Sequence, residues 1–229
     1  MQLFCFHCAG GSSSMFRKWK FANTDIFKLD LPGRGNRVNE PFIDQFDEAV
    51  DDLTDKVMRL RKAGQSWGVF GHSLGGLFAY EVSRRLQDHD FQCRILSGIK
   101  PLHQYSGEVK LLKQDDSTMV GMLAKLGGVP EKYKSNPIFI KWFAPILRAD
   151  LSLVKTFHYT AETSPIRTYV INGVDDLLIQ TMEKEDWKRA SLQDLTCLWV
   201  EGGHFSILQQ SEVVERLYTS SKKVGVTSQ

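Results

Sequence analysis

The stretch Gly68-Val69-Phe70-Gly71-His72-Ser73-Leu74-Gly75-Gly76 joins an apolar run, a glycine-flanked serine and the start of a second apolar run. It reads as a strand from Trp67 to Phe70 that stops at Gly71 and turns through Ser73. A helix then starts at Leu74 and carries Leu77, Phe78, Tyr80 and Val82. Gly71-His72-Ser73-Leu74-Gly75 fits G-x-S-x-G, in which a strained strand-to-helix turn lifts a serine hydroxyl above a sheet edge. Glycine is needed on both sides because a Cβ there would collide with the neighbouring strand and helix. The helix start adds a positive dipole end and free N–H groups, which suit a developing oxyanion. So short a pattern also arises by chance, as a glycine-rich turn with an incidental serine. The apolar strand before it and the apolar helix after it favour the first reading.

The surrounding chain is 229 residues long, enough for one domain with a sizeable core. It is 42% hydrophobic and 24% charged, as ordinary globular proteins are. The 29 basic and 27 acidic residues leave a net charge of +2, which argues against nucleic acid or an acidic membrane as the main partner. Met1 runs into Leu3-Phe4-Cys5-Phe6 without a basic lead or a long apolar run, so no secretory signal or membrane span is expected and the location is expected to be cytoplasmic. Of the four cysteines, Cys5 and Cys8 form a C-x-x-C, but Cys5 lies in a strand-like run, and Cys93 and Cys197 stand apart. Reduced core thiols are expected rather than a redox pair or zinc site, and no metal or cofactor.

Strands and helices alternate along the chain. Leu3–Phe6, Asp25–Leu29, Trp67–Phe70, Cys93–Ile99, Thr168–Ile171 and Leu195–Val200 read as strands. Phe46, Val50, Leu53, Val57 and Leu60 recur at helical steps, with Gly64 as the stop. Val213, Val214, Leu217 and Tyr218 mark a closing helix, and Ser220–Gln229 a loose tail. The alternation implies an α/β fold with a mostly parallel central sheet and helices on both faces. From about residue 104 to 160 helices interrupt the rhythm: one capped by Asp116-Ser117, one opened by Asn136-Pro137 and bent near Pro145, with Leu151, Val154 and Phe157 continuing beyond. This block is expected to be a lid inserted into a single domain spanning 1–229; two ordinary packing helices are the alternative.

Sites in such sheets lie at the carboxyl ends of the strands, where Ser73 falls. A serine nucleophile needs a histidine base, and the histidine needs a carboxylate. On α/β-hydrolase sheets the chain order is serine, acid, histidine. Of six histidines, His204 alone follows the last strand, in the glycine-rich Glu201-Gly202-Gly203-His204-Phe205. The acid should end an earlier strand, and Val170-Ile171-Asn172-Gly173-Val174-Asp175-Asp176 offers two aspartates. The Gly-x-x-Asp spacing favours Asp176; Asp175 suits turn capping, and Asp150 remains a lesser alternative. The oxyanion donors should be the N–H of Leu74 and an N–H from the small-residue loop His7-Cys8-Ala9-Gly10-Gly11, from Ala9 or Cys8. A plain flexible turn is the competing reading of that loop.

At this point the chain resembles the type II (stand-alone, editing) thioesterases that accompany nonribosomal peptide and polyketide synthases. The resemblance covers nearly the whole chain and rests on Leu3-Phe4-Cys5-Phe6 with Ala9-Gly10-Gly11-Ser12 and Trp19, and on Leu31-Pro32-Gly33-Arg34-Gly35-Asn36-Arg37. It extends through Phe70–Gly76, Leu126-Gly127-Gly128-Val129-Pro130, Ile146-Leu147-Arg148-Ala149-Asp150 and Gly202-Gly203-His204-Phe205. The Pro-Gly-Arg and Leu-Arg-Ala-Asp blocks are the specific part, since esterases at large lack them. The resemblance implies an α/β-hydrolase with a helical lid that releases acyl groups from the phosphopantetheine arm of carrier proteins, with Ser73, Asp176 and His204 as triad and Ala9 and Leu74 as oxyanion donors. Two departures stand out: His7-Cys8 occupies the place of the family's Pro-His, and Leu177 follows the acid where proline is usual.

The expectation is therefore hydrolysis of acyl or aminoacyl thioesters on a carrier protein by a monomeric enzyme without cofactor. Arg34 and Arg37 either meet a phosphate or acidic carrier helix, or bond loop carbonyls and nearby acids. Met119, Met122, Phe139, Trp142 and Phe143 either line an acyl channel or pack a core. Two further readings compete: a medium-chain fatty-acyl thioesterase or small-molecule esterase with the same triad, and a silent hydrolase fold that only binds a synthase.

Overall fold

A computed structural model describes residues 1–105, 107–161, 166–179, 186–187, 192 and 194–221. Among these residues, six strands form one sheet: Gln2–Phe6 (β1), Asp25–Leu29 (β2), Trp67–His72 (β3), Phe91–Ser97 (β4), Thr168–Gly173 (β5) and Leu195–Val200 (β6). Their order is β2-β1-β3-β4-β5-β6, and every pairing is parallel. The apolar runs explain this: β1, β3 and β4 are buried throughout, as strands covered on both faces must be.

Alternate side chains feed two cores. Phe4, Phe6, Trp67 and Val69 pack beneath Phe46–Leu60 (α1) and Leu74–Leu86 (α2). Leu3, Cys5, Phe70, Cys93 and Ile95 pack on the other face against Phe16, Trp19 and Ser211–Ser220 (hereafter α5). Helix α1 ends at Leu60, before the expected stop at Gly64: Arg61 is already extended (ψ 139°), and the Lys62 N–H donates to Gln2 Oε1 at 2.8 Å. A tie to the start of β1, rather than glycine, ends that helix. Of the expected tail, Ser220 closes α5 and Ser221 is buried, its hydroxyl donating to the Leu217 carbonyl at 2.6 Å; residues 222–229 lie outside the described residues.

Between β4 and β5 lies the helical block, with Asp116–Lys125 (α3) and Pro137–Thr156 (α4) its main elements. Asp115, one residue before the expected cap, accepts the Thr118 N–H at 3.0 Å. Asn136 Oδ1 caps α4 through the Ile138 and Phe139 N–H groups, with Pro137 at the first position. Helix α4 runs as one element through Pro145 and Asp150 to Thr156, and so takes in Leu151 and Val154 of the expected continuation. Pro145 and Lys141 are both exposed, so water can take the carbonyl that proline leaves without a donor. Met119, Val120, Phe143, Ala144 and Leu147 give the block a small core of its own.

No helix among the described residues is long and apolar enough to cross a membrane. Cys5, Cys8 and Cys93 are buried free thiols. Burial pushes the Cys8 and Cys93 thiols up to about 12, which leaves them protonated and inert near neutrality.

Candidate active site

Ser73 follows β3 and caps α2 with φ 55° and ψ −118°. Asn23 is the one other non-glycine residue with positive φ among those described. Such backbone costs about 1–3 kcal/mol and persists only where its surroundings enforce it. Here the Ser73 N–H donates to the Ser97 carbonyl at 2.7 Å, and the Gly76 N–H to the Ser73 carbonyl at 2.8 Å. A Cβ on Gly71 would strike the Gly75 carbonyl, and one on Gly75 the Phe6 and His7 carbonyls. Strand β3 extends through His72, so the whole turn falls on Ser73, and its hydroxyl lines an open cleft.

The carboxylate and imidazole come from neighbouring strands. The Val174 N–H donates to the Val200 carbonyl (2.9 Å) and the Asp175 N–H to the Gly202 carbonyl (3.0 Å), which locks the turn after β5 to the turn after β6. A Cβ on Gly173 would strike the Gly202 and Gly203 carbonyls. This lock turns Asp176 inward and leaves Asp175 exposed. Asp176 Oδ2 lies 2.6 Å from His204 Nδ1, and Asp176 Oδ1 accepts the Leu178 N–H at 2.9 Å. Asp150 is taken up elsewhere, by Arg34. Ser73 and His204 line the same cleft; a hydrogen bond between them is not among those formed by the described residues.

His72 lies beside His204, with 4.8 Å between the ring centroids. Its Nδ1 is 3.1 Å from Ser97 Oγ, and its Nε2 is buried without a partner. Burial, and then the charge of His204, hold its pKa well below the ordinary value. It therefore stays neutral near pH 7.

The loop after β1 is held firmly, unlike a plain flexible turn. His7 Nδ1 lies 2.8 Å from the Cys8 carbonyl, and the Leu31 N–H donates to His7 Nε2 at 3.3 Å. This pair of partners fits the neutral tautomer with the proton on Nδ1; burial, then the nearby Arg34 charge, lower the His7 pKa. Asp30 accepts the Ser13 N–H at 2.6 Å and the Ser13 hydroxyl at 2.8 Å. Asp150 accepts the Gly10 N–H at 2.7 Å. No acceptor among the described residues engages the Ala9 N–H, and Leu74, first in α2, has no intrahelical one. The two specific motifs meet here: Arg34 forks onto Asp150. Arg37 pairs with Glu40 and Asp52 and donates to the Asp30 carbonyl. Both arginines thus bond nearby acids and carbonyls.

Two clefts meet at Ser73 and Ala9. One, of about 390 Å³, is apolar and runs past His204 between Met122, Leu126, Leu147, Leu151, Leu178 and Phe205. The other, of about 310 Å³, is lined by Lys100, Tyr105 and Glu108. Of the five side chains expected either at an acyl channel or in a core, Met122 lines the apolar cleft. Met119 and Phe143 pack the block's core, and Phe139, Trp142 and Phe143 line a separate groove against Gly10–Ser14. Leu147 and Leu151 are expected only as helix positions, not as cleft lining, although their four-residue spacing on α4 is the available signal. Among the described residues no group of three or more side chains is arranged to hold a metal ion.

A family model described as Thioesterase domain matches residues 1–220. The chain is 29% identical to the probable anguibactin biosynthesis thioesterase AngT of Vibrio anguillarum, over 90% of this chain and 85% of that one. It is 26% identical to the human medium-chain S-acyl fatty acid synthase thioesterase, over 90% of this chain and 81% of that one. Among solved structures it superposes on ClbQ from the colibactin NRPS/PKS pathway with a TM-score of 0.81 and 25% identity, covering 96% and 95% of the two chains. The fold is that of the α/β-hydrolases, as expected.

Proposed function

The chain belongs to the thioesterase family, and from that premise we propose that it is a type II thioesterase working beside a nonribosomal peptide or polyketide synthase. It hydrolyses acyl or aminoacyl thioesters on the phosphopantetheine arm of carrier proteins and so clears stalled or mis-primed chains. The observation that carries the mechanism is the buried 2.6 Å contact between Asp176 and His204, in the cleft that holds the strained Ser73. Asp176 keeps the His204 proton on Nδ1, so Nε2 takes the Ser73 proton. Ser73 Oγ attacks the thioester carbonyl, and the Ala9 and Leu74 N–H groups hold the oxyanion. The C–S bond breaks, His204 protonates the departing thiol, and an acyl-serine remains. Water, deprotonated by His204, attacks it and regenerates Ser73. The apolar cleft accepts the acyl chain under the helical block, which acts as a lid.

The pathways named for AngT and ClbQ support the carrier-bound substrate. The likeness to the human medium-chain enzyme and the apolar lining of the cleft favour a second reading, release of medium-chain fatty acyl groups. Incubating the protein with acyl-loaded carrier protein, acyl-CoA and a p-nitrophenyl ester separates them. The expected result is fastest release from the carrier protein, abolished in Ser73→Ala. A strong preference for acyl-CoA or the simple ester overturns the substrate assignment, and undiminished turnover by Ser73→Ala overturns the mechanism.

A further inference from the structure

Asp150 is fully buried on α4, and Arg34 is 5% exposed on the loop after β2. Asp150 Oδ1 accepts Arg34 Nη2 at 2.7 Å, and Oδ2 accepts Arg34 Nη1 at 2.5 Å. The same Oδ2 accepts the Gly10 N–H at 2.7 Å. Arg34 Nη1 also reaches the Gly11 carbonyl at 3.5 Å. One carboxylate thus joins α4, the Pro-Gly-Arg loop and the loop bearing Ala9, and it touches neither Ser73 nor His204.

A buried ion pair is weak support for stability, because well-packed apolar side chains often serve as well. What a forked pair supplies is position. Peptide units are planar, so an N–H is aimed by fixing its plane and that of its neighbour. The Ala9 N–H shares a plane with the Cys8 carbonyl, which the His7 ring and the Gly11 N–H hold at 2.8 and 3.0 Å. The next plane carries the Gly10 N–H, held by Asp150. Gly10 has φ +72°, and a Cβ there would strike the Phe143 ring of α4, so this loop and helix are in close register. Leu147 and Leu151, on the same helix, line the apolar cleft.

We propose that Asp150 is a positioning residue for the oxyanion hole: it aims the Ala9 N–H through the Gly10 peptide and ties that aim to the helix lining the acyl cleft. Arg34 has two parts in this. It fixes the carboxylate's orientation, and it neutralises a negative charge that would otherwise oppose an oxyanion forming nearby. The two motifs that set this chain apart from esterases at large thereby act on backbone rather than on substrate.

The inference rests on the oxyanion assignment made above, and the test separates the two. The probe is an acyl trifluoromethyl ketone, whose carbonyl carbon bonds Ser73 Oγ as the Ser73 proton passes to His204, placing an oxyanion between Ala9 and Leu74. Steady-state kinetics with an acyl N-acetylcysteamine thioester supply kcat and KM. Asp150→Ala is expected to lower kcat by about 30-fold with KM within about twofold, and to weaken the ketone by a similar factor. Asp150→Asn keeps the volume and one acceptor; it is expected to fold, to lose about fivefold, and so to rescue part of the defect. Arg34→Gln, which leaves the carboxylate unneutralised, is expected to fall below the double variant Arg34→Gln/Asp150→Asn. Unchanged kcat and ketone affinity in a folded Asp150 variant overturn the proposal, as does a KM rise with ketone affinity intact. If the wild-type protein forms no ketone adduct on Ser73, the site assignment itself fails, and this inference with it.

Discussion

On one side of Ser73 the turns after β5 and β6 bring Asp176 and His204 into a single 2.6 Å contact; on the other, the loop after β1 presents a backbone N–H steadied by His7, Asp30 and Asp150. On the proposed mechanism the first edge does its chemistry with side chains, so residue type carries the information. The second does it with main chain, so the information lies in groups that aim the peptide planes. His7 is local, but the two acids are not: Asp150 lies 140 residues from Gly10, and Asp30 lies 17 from Ser13.

The largest effects should fall on the side-chain edge. His204→Ala and Asp176→Asn are each expected to lower kcat by about 10³- to 10⁴-fold while the melting temperature stays near that of the wild type, as read by stopped assays and calorimetry. A loss of tenfold or less in either variant would break the contrast. On the backbone edge, Asp30→Ala leaves the Ser13 N–H and hydroxyl without an acceptor. It is expected to cost about 1–3 kcal/mol in urea unfolding and to lower kcat by about tenfold. If it matched His204→Ala in kcat, the two edges would not differ as described.

The sequence made the first edge readable and the second only partly so. Ser73, Asp176 and His204 each stand beside glycines at a strand end, in an order that could be checked against one another. Ala9 was placed by its small neighbours, but the grip of Asp30 and Asp150 on its loop left no local trace. The Pro-Gly-Arg and Leu-Arg-Ala-Asp blocks were seen as unusual, yet nothing in either said that they bond each other. The strands were legible because burial on both faces leaves apolar runs. Helix ends were less so: the hold of Gln2 on Lys62 ends α1 before Gly64, and exposure of Pro145 keeps α4 continuous. Whether Met119, Met122, Phe139, Trp142 and Phe143 line a channel or pack a core stays open in the sequence, because helical periodicity does not say which apolar side chains face a cavity. Met119 and Phe143 went to the block's core, and Leu147 and Leu151 to the cleft.

Between the two edges lies the apolar cleft. Leu151→Trp fills part of it and is expected to shift kcat/KM by about tenfold toward short acyl groups in a chain-length series. The two edges should also share an acid sensitivity. His7 and His72 are buried with lowered pKa values, so the folded state holds them neutral. The unfolded chain takes up those protons as pH falls below about 6.5, so stability is full above that value and declines toward the lower folded pKa. His7→Gln and His72→Gln should each flatten the fall in melting temperature between about pH 7 and 5. The smallest effect is expected for Arg37→Ala, whose partners Glu40 and Asp52 lie away from both clefts. Its kcat should stay within about twofold of wild type and its stability loss near 1 kcal/mol, which would set Arg37 apart from Arg34.

Peptide mapping after labelling with a fluorophosphonate tests the central claim most directly, because the reagent reacts only with an activated serine. One adduct is predicted, on the peptide containing Ser73, lost in Ser73→Ala and slowed by at least about 10³-fold in His204→Ala. An adduct on another serine, or labelling that survives Ser73→Ala, would contradict the account.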